Sequence, residues 1–134
     1  MHLDHATIVT PDVDAARRFF VDIVGLTDGR RPPFRVGGAW LYAAGRPVIH
    51  LVDATLPRAV ASDAAPSGAA PRIDHIAFRI DRADAWHALI ARIEAAGVGY
   101  QRADVPLTRE VQLFVALAPG VVIEFVTAAE HTSS

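Results

Sequence analysis

The chain of 134 residues contains no cysteine, no lysine and a single methionine. Without thiols, disulfides and thiolate metal sites are excluded, so any metal must be held by His, Asp or Glu. Lacking lysine, and with its arginines scattered, the chain carries no basic footprint for nucleic acid. Acidic and basic residues nearly balance, at a formal net charge of -2. No apolar run approaches a membrane span, and the opening "MHLDHATIVT" lacks the basic-then-apolar order of a signal peptide. These absences predict a cytoplasmic protein with neither nucleic acid nor membrane as partner. The rest is ordinary for one globular domain, since 51% of the residues are hydrophobic and the length suffices to bury a core.

The chain repeats itself. "LDHATIVT" (residues 3–10) returns as "IDHIAFRI" (73–80), so an offset of 70 lays Leu3-Asp4-His5 on Ile73-Asp74-His75 and Asp14-Ala15 on Asp84-Ala85. With two residues inserted, Gly25 meets Gly97 and Arg30 meets Arg102. An offset of 74 lays "PVIHLV" on "VVIEFV", so that His50 meets Glu124. Pattern and order persist across both halves, which reads as a tandem duplication.

Each copy reads as a strand, a helix and further strands. "HATIVT" alternates and is β-branched, as a half-buried strand is. "TPDVDAARRFFVDIVG" predicts a helix capped by Thr10, with Pro11 in its first turn, an apolar stripe of Val13, Ala16, Phe20 and Ile23, and Gly25 at its end. The second helix is predicted with Asp81 as cap, Asp84 in the first turn, a stripe of Trp86, Leu89, Ile90 and Ile93, and Gly97 at its close. "AWLYAA" and "PVIHLVD", then "VQLFVAL" and "VVIEFVT", are the later strands, turned by "GRP" and "APG". The reading is a single domain of two modules, 1–53 and 73–128, joined by an Ala/Pro/Ser-rich linker over 54–72 and followed by a tail, 129–134.

Strand alternation sorts the polar residues. His5 sides with Thr7 and Val9, His75 with Ala77 and Arg79, His50 with Val48 and Val52, and Glu124 with Val122 and Val126. The opposite faces are apolar, as surfaces under a helix are. Curling the sheet lets His5, His50, His75 and Glu124 converge, and imidazole and carboxylate ligands of this kind suit a divalent metal ion. Arg79 joins the same face, where it binds a substrate anion or pairs with an acid. Alternation points Asp4 and Asp74 away from the site, with no chemical role. His2, His87 and His131 read as surface or tail residues, and Trp40, Tyr42, Tyr100 and Phe114 as core, with a pocket wall as the alternative.

On "LDHATIV", "ARRFFVDIVGL", "PVIHLV", "IDHIAFRI" and "QLFVALAPGVVIEF", the chain resembles the vicinal oxygen chelate superfamily. That group includes glyoxalase I, extradiol dioxygenases, methylmalonyl-CoA epimerase, and fosfomycin- and bleomycin-resistance proteins. The resemblance implies an α+β fold of two tandem βαβββ modules, with mixed sheets curled into a cupped cavity and helices outside. It implies metal ligands at His5, His50, His75 and Glu124, from the first and last strand of each module. Two departures stand out: the first module ends on His50, where the family often has Glu or a non-ligand, and the turn "ALAPG" lacks the usual Asp.

The implied function is that of an enzyme dependent on a divalent metal (Zn, Ni, Mn or Fe). It binds neighbouring oxygens of a small-molecule substrate and stabilises an enolate-like anion, as a lyase, isomerase or ring-cleaving dioxygenase. Glu124 or His50 moves the proton. The alternative is a metal-free drug-sequestering protein of the bleomycin-resistance type, which tends to lose the ligands retained here. A homodimer is expected, its two sites each shared between chains.

Overall fold

The structure is a computed structural model that describes residues 1–54 and 71–133. In chain order, β1 (His2–Thr10) leads into α1 (Val13–Arg18), β2 (Thr27–Gly29), β3 (Gly38–Ala43) and β4 (Arg46–Asp53). The order then repeats as β5 (Arg72–Arg79), α2 (Ala83–Ala95), β6 (Gln101–Val105), β7 (Glu110–Ala118) and β8 (Val121–Ala128). A 3₁₀ turn, Ala129–Thr132, follows. Each half is therefore a βαβββ module. The strands of both modules form one continuous mixed sheet, ordered β2-β3-β4-β1-β5-β8-β7-β6.

Backbone register confirms the duplication. Parallel β1 and β4 set Thr7 against His50, while parallel β5 and β8 set Ala77 against Glu124. Those pairs are related by the offsets of 70 and 74 found in the sequence. The modules join where β1 runs antiparallel to β5 at the centre of the sheet.

The helices cover one face of the sheet. Leu51, Leu41 and Ala39 are buried beneath Val13, Ala16 and Phe20 of the first helix, and Ile80, Val111 and Leu113 beneath Trp86 and Leu89 of α2. One backbone approach in the first module is too close for any side chain: a Cβ at Gly38 would lie 2.0 Å from the Leu51 carbonyl oxygen.

Several expectations are corrected in detail. The first helix is capped by Asp12, whose side chain accepts from the Ala15 amide at 2.9 Å, with Thr10 and Pro11 preceding it. Thr10 instead accepts from the Asp12 amide at 3.2 Å. This helix continues as a π-helical stretch, Phe19–Val24, until Gly25 at φ 89° ends it. Arg82 occupies the N-cap of α2, and Asp81 pairs with His2 at 3.3 Å. Asp84 does sit in the first turn, accepting from the Ala85 amide. The short strands β2 and β6 were not located from sequence. Of the expected linker 54–72, residues 55–70 lie outside the described residues, whereas its ends are structured. Ala54 is buried and bonded to Thr10, and Arg72 begins β5. In the tail, His131 is tied down through a 2.8 Å bond between its Nδ1 and the Thr127 hydroxyl.

Leu51 is wholly buried and Ile23 is 73% exposed. Leu51→Ala is expected to cost about 2–5 kcal/mol, through lost transfer energy and a residual cavity. Ile23→Ala should change stability by less than about 0.5 kcal/mol. Chemical denaturation midpoints of the two variants measure the contrast.

Candidate metal centre

The site begins with two irregularities in the central strand pair. Along β1, Leu3 pairs with Phe78 and His5 with Ala77, so Asp4 is the extra residue of a bulge in the register. Along β5, Thr7 pairs with His75 and Ile8 with Ile73, which leaves Asp74 in the same position. Each bulge breaks the alternation that was expected to send the aspartate to the far face, and re-aims its side chain. Asp and His then lie side by side. The Nδ1–H of His5 donates to Asp4 Oδ2 at 2.7 Å, and that of His75 donates to Asp74 Oδ2 at 3.0 Å. Each aspartate is gripped from behind by an arginine, Asp4 by Arg79 Nε at 2.8 Å and Asp74 by an Arg72 Nη at 3.0 Å.

With both Nδ1 atoms engaged, each imidazole presents Nε2 inward. Glu124 meets them, its Oε1 lying 3.1 Å from His75 Nε2 and 3.6 Å from His5 Nε2. One potential ligand atom from each of His5, His75 and Glu124 falls within 4.8 Å of the others. Residues of both modules supply this cluster, and a single chain closes it. Sharing between chains is not needed, because β1 and β5 already place the modules edge to edge.

His50 lies beside this group but outside it. Its ring is sandwiched, 3.6 Å from the His5 ring and 4.0 Å from that of Trp40, and its Nε2–H donates to the Pro47 carbonyl at 3.1 Å. For Trp40 and Phe114 the core is the commoner expectation and a pocket wall the alternative. Both face the site, with Phe114 edge-on to His75 at 6.0 Å. Tyr42 sits away from it, its hydroxyl donating to the Arg30 carbonyl. Arg79 is held between Asp4 and Glu110, at 2.8 and 2.6 Å.

Charge inside the cluster is mutually supported. Burial alone lowers the pKa of His5, but the hydrogen bond to Asp4 and the neighbouring carboxylates of Asp4 and Glu124 outweigh it and push the value up to about 9. His75 is raised in the same way by Asp74 and Glu124. Glu124 is buried, which raises its pKa, yet the two imidazoles hold it well below the carboxylate range. His50 goes the other way, lowered to about 2 by burial and then by the charge on His5. It is a neutral imidazole with Nε2 protonated and Nδ1 as its acceptor.

Two cavities flank the cluster, of ≈ 200 and ≈ 100 Å³. Trp40, His50, Gln112 and Glu124 line both. The larger is polar, with Arg46, Arg79 and Glu110 in its wall; the smaller is apolar, with Val9, Phe34, Val36 and Phe114. Gln112 was overlooked in the sequence, although alternation along β7 sets it with Phe114 and opposite the buried Val111 and Leu113. Its amide donates to Glu124 Oε2 at 3.3 Å and so fixes the carboxylate.

Two histidines and a glutamate thus meet on one face of a bimodular α+β sheet, a set of side chains with the chemistry to hold a metal ion. The profile of the Glyoxalase/Bleomycin resistance protein/Dioxygenase superfamily matches residues 2–113, and the chain belongs to that superfamily. Among curated proteins, no sequence matches. Solved structures share the fold. The Mn(II)-bound glyoxalase of Novosphingobium aromaticivorans superposes with a TM-score of 0.68 at 22% identity, covering 96% of this chain and 39% of that one. Homoprotocatechuate 2,3-dioxygenase of Brevibacterium fuscum, as its E323L mutant, gives 0.67 at 17% identity, covering 96% and 32%. Methylmalonyl-CoA epimerase of Mycobacterium tuberculosis gives 0.64 at 22% identity, covering 96% and 88%. The chain thus spans well under half of the glyoxalase and dioxygenase but most of the epimerase. Among the described residues, no helix is long and apolar enough to cross a membrane.

Removing one carboxylate charge tests the electrostatic account. In metal-free protein, Asp4→Asn should bring the His5 titration down from about 9 towards its ordinary 6.5. NMR titration of the ring protons reads this directly. An unchanged His5 midpoint would mean that Asp4 does not support its charge.

Proposed function

We propose that His5, His75 and Glu124 hold one divalent metal ion, and that the protein is an enzyme acting on a small molecule through two neighbouring oxygens. The single observation behind this reading is the state of the ligand atoms. Both Nδ1 atoms are taken by aspartates, both Nε2 atoms face one carboxylate oxygen, and His5 Nε2 is buried with no hydrogen-bond partner. Such an orphaned nitrogen is costly unless something binds there. Two imidazoles and one carboxylate form a facial set that suits Mn, Fe, Ni or Zn and leaves positions open. A bound ion supplies Lewis-acid stabilisation for an enolate-like anion, the chemistry of a lyase, isomerase or ring-cleaving dioxygenase.

The chain's own residues do the rest. Asp4 and Asp74 fix the imidazole tautomer and ring orientation. Gln112 steadies Glu124, and His50 walls the His5 ring in place. Two groups have a lone pair positioned to accept or return a substrate proton, Glu124 at Oε2 and His50 at Nδ1. Arg79, in the polar cavity, contacts substrate only by giving up part of its hold on Asp4 or Glu110. In the expected cytoplasmic homodimer, each chain carries one complete site.

Calorimetric titration with Mn(II) or Zn(II) should find one ion per chain, bound at least about tenfold more weakly after His75→Ala. Asp74→Asn should weaken binding by about 10–100-fold, as loss of a supporting carboxylate does. Affinity should rise with pH up to about 9, because the ion displaces protons from imidazoles whose pKa values are raised. A protein that takes up none of Mn, Fe, Ni or Zn overturns the proposal. His50→Ala is expected to leave affinity within about threefold; a loss beyond about tenfold makes His50 a fourth ligand.

A further inference from the structure

The smaller cavity contains one charge that the metal site does not use. Arg31 follows β2 and reaches into the apolar wall formed by Phe34, Val36, Val52 and Phe114. One of its Nη atoms donates to the Val36 carbonyl at 2.9 Å, and its guanidinium carbon lies 5.1 Å from the centre of the Phe34 ring. Those contacts hold the side chain against the wall, but neither supplies a counter-charge. Its Nε is buried without any hydrogen-bond partner.

The other guanidiniums lining or bordering the cluster either have a counter-charge or are exposed. Arg79 is paired with Asp4 and Glu110, and Arg72 with Asp74. Arg46 is exposed at the edge of the polar cavity. No carboxylate among the described residues lies within ion-pair distance of Arg31. The two acids that share its cavity are engaged elsewhere, Asp74 with Arg72 and His75, and Glu124 with the imidazoles and Gln112. A guanidinium left this way loses hydration without regaining it as ion pairing, and burial lowers its pKa accordingly. Arginine recognises carboxylates with two parallel N–H donors, and one such donor here is both buried and unspent.

We infer that Arg31 is an anion-recognition group, and that the ligand of this cavity carries a carboxylate on an apolar body. The apolar wall receives the body and Arg31 receives the charge. The inference deepens the proposed function, because the same cavity opens on His75 and Glu124. A substrate then presents its neighbouring oxygens to the metal site and its carboxylate to Arg31. Because Arg31 precedes β3 and the metal ligands lie on β1, β5 and β8, this selectivity is separable from the chemistry.

The test needs no metal, so its outcome is independent of whether the metal site is real. Hexanoate and hexanamide, which match in shape and differ in charge, are titrated into EDTA-treated protein with arginine side chains labelled with ¹⁵N. Hexanoate should bind about tenfold more tightly than hexanamide and shift the Arg31 Nε–H resonance. Arg31→Met should erase the preference while leaving hexanamide affinity within about twofold, and Arg31→Lys should keep part of it. Arg46→Met should leave it intact. Equal binding of the two probes, an unmoved Arg31 resonance, or a preference that survives Arg31→Met overturns the inference. Should Arg31→Met fail to fold, the resonance shift in the unaltered protein still decides.

Discussion

The antiparallel pairing of β1 with β5 is the constraint on which the site depends. It is the only strand pairing between modules in the sheet order of the described residues, and it sets His5 and His75 on neighbouring strands facing the same side. Its two bulges, at Asp4 and Asp74, are related by the duplication. Each one turns a repeated Asp-His dipeptide into a hydrogen-bonded unit whose outer nitrogen is held by the aspartate and whose inner nitrogen faces Glu124. A perfectly regular ladder would send each aspartate to the helix side, among Phe78, Phe125 and Ile8. A buried, unpaired carboxylate there is unfavourable, so the irregularity and the charge stand or fall together.

Buried charge in this fold is tolerated because it is chained. An arginine at the rim supports an aspartate, which supports a histidine, and both histidines support Glu124. In metal-free protein this has a definite pH signature. The His5 pKa is raised, so its contribution to stability is full below the ordinary 6.5 and fades as pH rises through about 9. The Glu124 pKa is lowered, so its contribution is full above the ordinary 4.5 and fades as pH falls below it. The cluster therefore stabilises most between these limits, and a cation arriving at Nε2 replaces protons rather than filling a neutral void.

What was legible in the sequence is what periodicity encodes. Alternation and the repeat located His5, His50, His75 and Glu124 on one face, and the apolar stripes located both helices. Periodicity says nothing where the backbone departs from it. Asp4 and Asp74 were assigned to the wrong side because a bulge shifts the phase by one residue, and a bulge leaves no composition of its own here. The short strands β2 and β6 are polar, "TDG" and "QRADV", and exist because edge strands borrow their hydrogen bonds from β3 and β7. Trp40 and Phe114 read as core since an aromatic on a strand fits a cavity wall as well as a helix-covered face. Arg31 gave no signal, because one arginine in "GRRPPFR" resembles its neighbours until the fold shows which of them is half-buried in a cavity wall.

The duplication also explains why the site is not symmetrical. Register makes His50 equivalent to Glu124, and Trp40, which pairs with His50, equivalent to Phe114, which pairs with Glu124. In the second module the acidic side chain extends past Phe114 to reach both imidazoles. In the first, the flat imidazole of His50 fits between Trp40 and His5 and spends its Nε2–H on Pro47, so it stacks where Glu124 bonds. One exchange of residue type thus converts a two-fold frame into a cup with a carboxylate on one side and an aromatic stack on the other.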